Sequence, residues 1–382
     1  MNIACDARSL VGRHTGVATW VTQIMGGLAR DYGHSITLNA SKPLALPDEL
    51  RLEGVTTPRP TTPWLPGTIW LHTRLPSWLA ARRPDVFVGS LGVVPRRCPV
   101  PTVAVVHDLT PRTHPHHHTL TNRFCFNAYL EESLETAGAV VAVSKATERV
   151  LLGLFPIVAS KLVAIDNGVS DFFSPPHPED DGRNIRQRFS TGRPYVLHLG
   201  TIEPRKGVAD LVEAWERLHS LRSAPPDLVV AGGLGWDTTP IIARIQRSPY
   251  RERIHLPGYV DREAARDLLR HAEVFAIASE AEGFGLPLAE AISCEAPSVA
   301  SDIPSLRETG GDAALFTPPQ DPAALARALH LALQPDTADD LRRRAALRAP
   351  KLRWGPAITA WNTLLEEVVA GRSPRTANGN GE

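Results

Sequence analysis

Short apolar runs alternate with longer amphipathic segments along most of this chain. The apolar runs predict strands at 2–7, 35–40, 86–90, 102–108 and 139–144 in the first half, and at 195–200, 227–233, 253–260, 273–279 and 296–302 in the second. Helical spacing of apolar positions predicts helices between them, at 19–32, 126–137, 207–221, 262–272 and 321–333. Because strands and helices alternate, we expect an α/β fold with doubly wound parallel sheets covered on both faces.

One polar, proline-rich stretch, SDFFSPPHPEDDGRN, interrupts this alternation. We therefore predict a Rossmann-like N-terminal domain at 1–170, a linker at 171–190 and a C-terminal domain at 191–355. Two such domains leave a cleft between them. Because ligands of open α/β sheets bind beyond the carboxyl ends of the strands, the residues that directly follow strands are the candidates for function.

The composition narrows the class of protein. The 382 residues include 41 Lys and Arg and 41 Asp and Glu, so no strong electrostatic field favours nucleic acid. The four cysteines are scattered without a C-x-x-C pair, which is typical of a reducing compartment and argues against a zinc site. The N-terminal residues do not resemble a signal peptide, and no apolar run reaches the roughly 18 residues of a membrane span. We expect a cytoplasmic protein.

The stretch EGFGLPLAE, residues 282–290, lies between a predicted strand and a predicted helix. Its glycines allow a ligand to approach the backbone, and Pro287 suits a helix start, whose free amides attract phosphate. Glu282 on the loop and Glu290 in the first turn could accept hydrogen bonds from sugar hydroxyls in one pocket. The alternative is an ordinary turn in which Glu290 only complements the helix dipole.

A second strand end carries two adjacent cations. YVLHLGTIEPRKG places Arg205 and Lys206 between a strand and a helix. An arginine fork and a lysine point charge suit a diphosphate at such a position. The alternative is a pair of solvated surface cations.

The glycines of DLVVAGGLGWDT do not predict a nicotinamide site. Gly233 and Gly235 begin a G-x-G-x-x-G pattern, but Thr238 stands in place of its last glycine. No clear acidic strand end follows about 20 residues later, as such a site would need.

With these motifs in view, the chain resembles the retaining glycosyltransferases of family 4, which have the GT-B fold. That family is marked by E-G-F-G-x-P-x-x-E, which is intact at 282–290, and GTIEPRKG resembles its phosphate loop. The branch most similar is that of mannosyl- and related hexosyltransferases acting on surface polysaccharides. The likeness covers nearly the whole chain apart from the tail. One departure is Glu295, which replaces the glycine usual after the cysteine in ISCEAPSVASD.

The resemblance implies a role for each residue of the second half. Arg205 and Lys206 would hold the donor diphosphate, and Glu290 would bind the ribose. Glu282 would position the donor sugar and stabilise charge, with the backbone amides of Gly283, Phe284, Gly285 and Leu286. The resemblance also implies a C-terminal helix at 356–370 that crosses back to the first domain, before a disordered tail at 371–382.

Two segments of the first half complete the predicted site. Gly16 lies between a loop and a helix, and it resembles the family's glycine loop near the donor phosphates or the acceptor. His107 in HDLTP resembles the histidine near the reacting sugar, where it can exchange hydrogen bonds with a hydroxyl. The alternatives are a simple helix start with Thr15 as N-cap, and a packed histidine. We expect Asp108 to orient the loop.

The histidine run THPHHHTL, residues 113–120, does not predict a metal site. Consecutive side chains diverge, and no carboxylate or thiol accompanies them in sequence. We interpret the run as a solvated loop near the acceptor entrance, and we expect neither a metal nor a cofactor besides the donor.

The apolar stretch at 63–83 places Leu71, Leu75, Trp78 and Leu79 on one helical face. We interpret it as a helix buried against the first sheet, with a membrane-surface helix as the alternative. Its tryptophans could still touch a lipid-linked acceptor.

The resemblance implies a retaining hexosyltransferase with GDP-mannose as donor, and a UDP sugar as the alternative donor. The expected acceptor is a glycan or lipid-linked glycan of a cell-surface polysaccharide, which would bring the enzyme into peripheral contact with the inner membrane face. An alternative of another class is a non-catalytic nucleotide-sugar-binding subunit of a glycan-assembly complex.

Overall fold

The computed structural model describes residues 1–12, 15–60, 62–117 and 120–374. The chain divides into two compact units, of which the second is Val169–Arg353 and the first comprises Met1–Gly168 and the segment from Trp354 onward. Most of the predicted tail, from residue 375, lies outside the described residues, as do residues 118 and 119 of the histidine run.

The first unit is built on parallel strands with the order β3-β2-β1-β4-β5-β6-β7 in the part of the chain that the structure describes. The strands are β1 (Asn2–Asp6), β2 (Ser35–Asn39), β3 (Val55–Thr56), β4 (Val86–Gly89), β5 (Thr102–Val106), β6 (Ala139–Ala142) and β7 (Leu162–Ala164). The direction of strand addition reverses between β1 and β4, which makes their carboxyl ends the expected ligand position.

The helices of this unit pack on both faces of the sheet. They are α1 (Gly16–Tyr32), α2 (Gly67–Thr73), α3 (Leu75–Arg82), α4 (Thr110–Thr113), α5 (Leu120–Thr136) and α6 (Lys145–Leu154). The stretch at 63–83 forms two helices, α2 and α3, because the chain turns at Arg74. Leu71, Leu75 and Leu79 lie in the core of the unit, which agrees with a face buried against the sheet. Trp64, by contrast, is 73% exposed.

The second unit has parallel strands in the order β10-β9-β8-β11-β12-β13. The strands are β8 (Tyr195–Leu199), β9 (Asp227–Ala231), β10 (Ile254–Gly258), β11 (Val274–Ile277), β12 (Ser298–Ser301) and β13 (Ala314–Thr317). The helices are α7 (Arg183–Ser190), α8 (Val208–Leu221), α9 (Thr239–Gln246), α10 (Arg262–Arg270), α11 (Leu286–Ser293), α12 (Pro304–Gly310), α13 (Pro322–Ala332) and α14 (Pro335–Arg348). Strand addition reverses between β8 and β11.

The segment expected as a linker, residues 171–190, is part of the second unit and ends in α7. Its polar residues are anchored to the end of α10. The guanidinium of Arg270 donates to the Ser174 carbonyl at 2.7 Å, and the His271 ring lies 3.0 Å from Asp180. The polar composition therefore reflects side-chain anchoring of an ordered segment.

The last helix, α15 (Trp354–Val369), belongs to the first unit and packs along α1. Trp361 is fully buried and meets the ring of Trp20 edge-on at 5.2 Å. His34, two residues after the end of α1, also contacts α15, with its Nε2 2.6 Å from Asn362 Oδ1. Among the described residues, no helix combines the length and apolar character that a membrane crossing requires.

Candidate functional site

Two loops meet at the carboxyl ends of β8 and β11, where strand addition reverses in the second unit. Arg205 and Lys206 lie in the short 3-10 turn Pro204–Lys206 that follows β8. Gly207 ends this turn with φ +61°, and a Cβ there would stand 2.1 Å from the Ala278 carbonyl oxygen. Only glycine tolerates both the positive φ and this close approach, so Gly207 allows the turn to pack directly against the end of β11.

This packing brings both predicted cations to Glu282. Lys206 Nζ donates to Glu282 Oε1 at 2.5 Å, and Arg205 Nη1 lies 3.4 Å from Oε2. Ser279 Oγ donates to the same carboxylate at 2.8 Å. The three charged side chains are 9–13% exposed, so the interpretation of Arg205 and Lys206 as solvated surface cations is wrong.

The electrostatic state of Glu282 follows from these contacts. Burial alone would raise the pKa of Glu282, but Lys206 and Arg205 outweigh it and lower the pKa to about 2. The carboxylate is therefore ionised at every pH at which the protein would work, and it cannot serve as a proton donor there.

Glu203 and Ser279 belong to this cluster although the sequence analysis did not single them out. Glu203 Oε1 accepts from Arg205 Nη2 at 2.7 Å, while Arg205 Nη1 donates to the Ala281 carbonyl at 2.6 Å. The guanidinium is thus fixed from both sides. The sequence feature that could have identified Glu203 and Ser279 is their position shortly after the ends of strands.

The glycine-rich loop leads from Glu282 through Gly283 into α11, with Leu286 as the first helical residue. Gly285 caps the helix with φ +92°, and a Cβ there would stand 2.4 Å from Leu306. The Phe284 carbonyl accepts from Thr309 Oγ1 at 2.5 Å, which fixes the loop on α12. The N-cap residue Gly285 makes no side-chain hydrogen bond to the first amides of α11, where the loop from Glu282 enters the helix.

Glu290 has a different environment from Glu282. Burial raises the pKa of Glu290 to about 8, with only partial opposition from Arg262. The structure gives no contact between the two glutamates among the described residues, and the expectation that both face one ligand pocket stays a prediction. Arg262, which the sequence analysis missed, is itself stacked at 4.6 Å over the Phe172 ring.

His107 and Gly16 belong to the first unit, whereas the other predicted site residues belong to the second. His107 follows β5, and its Nε2 lies 2.9 Å from the Ser90 carbonyl oxygen. Burial lowers the pKa of His107 to about 4, so its ring is neutral at pH 7. Gly16 is the exposed first residue of α1, where Thr15 makes no side-chain cap.

Asp108 holds the loop after His107 in place. Its Oδ1 accepts from the backbone amide and the hydroxyl of Thr110 at 3.0 and 2.6 Å. These bonds initiate α4 and agree with an orienting role. Within the described residues, no group of three or more His, Cys, Asp or Glu side chains is arranged to hold a metal ion.

Comparisons with known proteins place this geometry in a family. The model for "Glycosyl transferases group 1" matches residues 182–351, and the model for "Glycosyltransferase Family 4" matches residues 14–173. The two matches together cover most of the chain, one for each unit.

Relatives and solved structures agree with these matches. O-antigen chain mannosyltransferase B of Escherichia coli is 29% identical over 76% of this chain and 76% of its own length. Serotype-specific mannosyltransferase WbdA of the same organism is 26% identical over 72% of this chain but only 35% of its own length. The crystal structure of Anabaena HepE in complex with UDP-glucose superposes with a TM-score of 0.72 at 20% identity, over 97% of this chain and 99% of that one. The chain is therefore a member of the family 4, group 1 glycosyltransferases, which are enzymes of the GT-B fold.

Proposed function

We propose that this glycosyltransferase moves mannose from GDP-mannose to a glycan or lipid-linked glycan during cell-surface polysaccharide synthesis, with retention of anomeric configuration. Two observations support mannose: the family branch that the motifs resemble, and the two E. coli relatives, whose names are those of mannosyltransferases. A lipid-linked acceptor would bring the reaction to the inner face of the membrane.

In this proposal the donor binds at the β8–β11 strand ends. Arg205 and Lys206 hold the diphosphate, together with the amides of Gly283 to Leu286 at the start of α11. Glu290 accepts hydrogen bonds from the ribose hydroxyls. Arg262 lies close enough to raise the ionised fraction of Glu290, and it would assist that contact.

The transfer itself breaks the bond between the sugar C1 and the diphosphate oxygen and forms a bond between C1 and the acceptor oxygen on the same face. The departing diphosphate takes the acceptor proton. Arg205, Lys206 and the helix amides stabilise the negative charge on the leaving group, which is usually the largest contribution to catalysis. Glu282, ionised because its pKa is about 2, stabilises the positive charge that develops on the sugar ring.

His107 supports the sugar from the first unit. If its Nε2 carries the proton, that N–H donates to the Ser90 carbonyl, since a carbonyl can only accept. The neutral ring then presents Nδ1 as an acceptor for a sugar hydroxyl. Gly16 and the exposed amides of α1 are assigned to the donor phosphates.

The observation that carries the proposal is the buried Lys206–Glu282–Arg205 cluster at the reversal point of the second sheet. Lys206→Ala and Glu282→Gln should each lower transfer of radiolabelled mannose to a mannan acceptor by about 10²-fold or more. Glu213→Gln is the matched control, because Glu213 forms an exposed pair with Arg217 on α8. Full activity in both site variants, with folding verified by circular dichroism, contradicts the proposal.

UDP-glucose is the second candidate donor, because the HepE structure with a TM-score of 0.72 is a complex with that compound. A thermal-shift screen of GDP-, UDP- and ADP-sugars separates the candidates, since a ligand that binds only the folded state raises its melting temperature. We expect the largest shift with GDP-mannose. A larger shift with UDP-glucose would reassign the donor.

A further inference from the structure

The first unit has its own strand-order reversal, between β1 and β4, and an arginine lies at it. Arg8 follows the end of β1 by two residues, and Ser90 directly follows β4. Arg8 has no role in the donor site proposed above, and the Ser90 hydroxyl has none either. Since ligands of open α/β sheets bind at such reversals, Arg8 is a candidate ligand contact.

Arg8 is held rigidly by a fully buried carboxylate. Its Nε donates to Asp6 Oδ1 at 2.9 Å and its Nη2 to Oδ2 at 2.7 Å, while Asp6 is 0% exposed and Arg8 14%. This is a bidentate pair along one edge of the guanidinium. Nη1 makes no hydrogen bond to any residue that the structure describes, so its N–H groups are available to a ligand.

A missing side chain leaves space beside this nitrogen. Gly67 is the first residue of α2, and a Cβ at that position would stand 3.0 Å from Arg8 Cδ and 3.5 Å from Nη1. The Ser41 hydroxyl is the next atom, at 3.8 Å from the same point. Any larger residue at 67 would therefore crowd the uncommitted side of the guanidinium.

Hydrogen bonds connect Arg8 to His107 across adjacent strands. Ser90 Oγ donates to the Asp6 carbonyl at 2.6 Å, and the Ser90 carbonyl lies 2.9 Å from His107 Nε2. Arg8 follows strand β1 and His107 follows strand β5, and these strands lie on either side of β4 in the sheet. Arg8 offers N–H donors that match the oxygens of sugar hydroxyls, and it lies at the same end of the sheet as His107, which the proposed function assigns to the donor sugar.

We propose that Arg8, at the same end of the first sheet as His107, binds hydroxyl groups of an uncharged hexose unit of the acceptor. Asp6 occupies the Nε and Nη2 edge of the guanidinium, so Nη1 is left for single directed hydrogen bonds. Phosphates and carboxylates favour a bidentate contact with arginine, whereas a sugar hydroxyl needs only one such bond. This inference rests on the proposed function, in which the first unit receives the acceptor.

The test measures binding of two probes, methyl α-mannopyranoside and mannose 6-phosphate, to the full chain saturated with GDP, by saturation-transfer NMR. Arg8→Lys keeps a charge for Asp6 but loses the fork, and Gly67→Ala keeps the guanidinium while it places a Cβ about 3.0 Å from Arg8 Cδ and 3.5 Å from Nη1. Arg30→Lys is the matched control, because Arg30 makes the same bidentate contact to Asp31 on the exposed surface of α1.

We expect the wild-type chain to bind the mannoside more tightly than its phosphate, and both site variants to bind it at least tenfold more weakly. Affinity for GDP should stay within twofold. Unchanged mannoside affinity in both variants overturns the inference, as does tighter, Arg8-dependent binding of mannose 6-phosphate or the lack of any mannoside binding by the wild-type chain. Failure of GDP to bind the wild-type chain would instead count against the proposed donor site.

Discussion

Glu290 on α11 provides a quantitative test of the second unit's electrostatics. Burial raises its pKa from 4.5 to about 8, although Arg262 partly opposes the shift. The folded chain therefore holds this proton more tightly than the unfolded chain. The stability that this proton contributes is lost progressively as the pH rises from 4.5, the pKa in the unfolded chain, to about 8, the pKa in the folded chain. Glu290→Gln removes this dependence while it keeps the shape of the side chain.

The size of the effect follows from the pKa shift. At about 1.36 kcal/mol per pKa unit, ionisation of Glu290 in the unfolded chain, while the folded chain keeps the proton, lowers folding stability by about 3 kcal/mol at pH 7 and about 1 kcal/mol at pH 5. Because water reaches part of the side chain, we expect about 2 kcal/mol at pH 7. For a unit of this size the variant should melt about 4–8 °C above the wild type at pH 7, and about 2 °C above it at pH 5.

Differential scanning calorimetry at pH 5, 6, 7 and 8 measures this difference. Other titrating groups contribute equally to both proteins, so they cancel in the comparison. Glu213→Gln, whose carboxyl is 41% exposed, is the control and should show no pH-dependent difference. A Glu290→Gln variant that melts at or below the wild-type temperature throughout, or whose advantage does not change with pH, would refute the reasoning. GDP should raise the melting temperature of this variant less than that of the wild type, because a ribose contact is lost.

Three further changes test the loops around the site. Glu295 has φ +57°, and its usual family counterpart is glycine, so Glu295→Gly should stabilise the protein by about 1 kcal/mol in urea unfolding. Gly285→Ala combines φ +92° with a 2.4 Å approach to Leu306, and should destabilise by about 3 kcal/mol in the same assay. Glu203→Gln removes a negative charge beside Arg205 and frees its guanidinium, so calorimetry should show GDP bound about threefold more tightly while kcat falls about tenfold.

The alternation of apolar runs and helical patterns predicted the interior strands of both sheets but missed β3, β7 and β13. These three lie at sheet edges and are two to four residues long. An edge strand pairs on one side only, so its residues need not form a long apolar run. The predicted first domain ends close to the observed division at Gly168, but residues 171–190 belong to the second unit. Polar residues can order such a segment through contacts distant in sequence, such as Asp180 with His271.

At the candidate site, sequence position predicted which residues follow strands but not how they pair. Glu282 lies 77 residues after Arg205 and 76 after Lys206 in sequence, and only the adjacency of β8 and β11 brings it to them. The motif at 282–290 also could not predict that Glu282 and Glu290 have opposite electrostatic environments. Glu282 faces two cations and stays ionised, whereas Glu290 is buried with only partial opposition from Arg262 and retains its proton.

The pairing at the site has a consequence for the order of events during transfer. Glu203 and Glu282 balance the charges of Arg205 and Lys206. If the donor binds as proposed, its diphosphate would draw Lys206 away from Glu282, because a buried cation cannot serve two distant anions equally well. Glu282 would then keep its bond to Ser279 and be left without its closest counter-charge, beside the sugar ring on which positive charge develops. Donor binding would thus create the negative potential that the transition state needs, so the loss on replacing Lys206 should appear in kcat as well as in donor affinity.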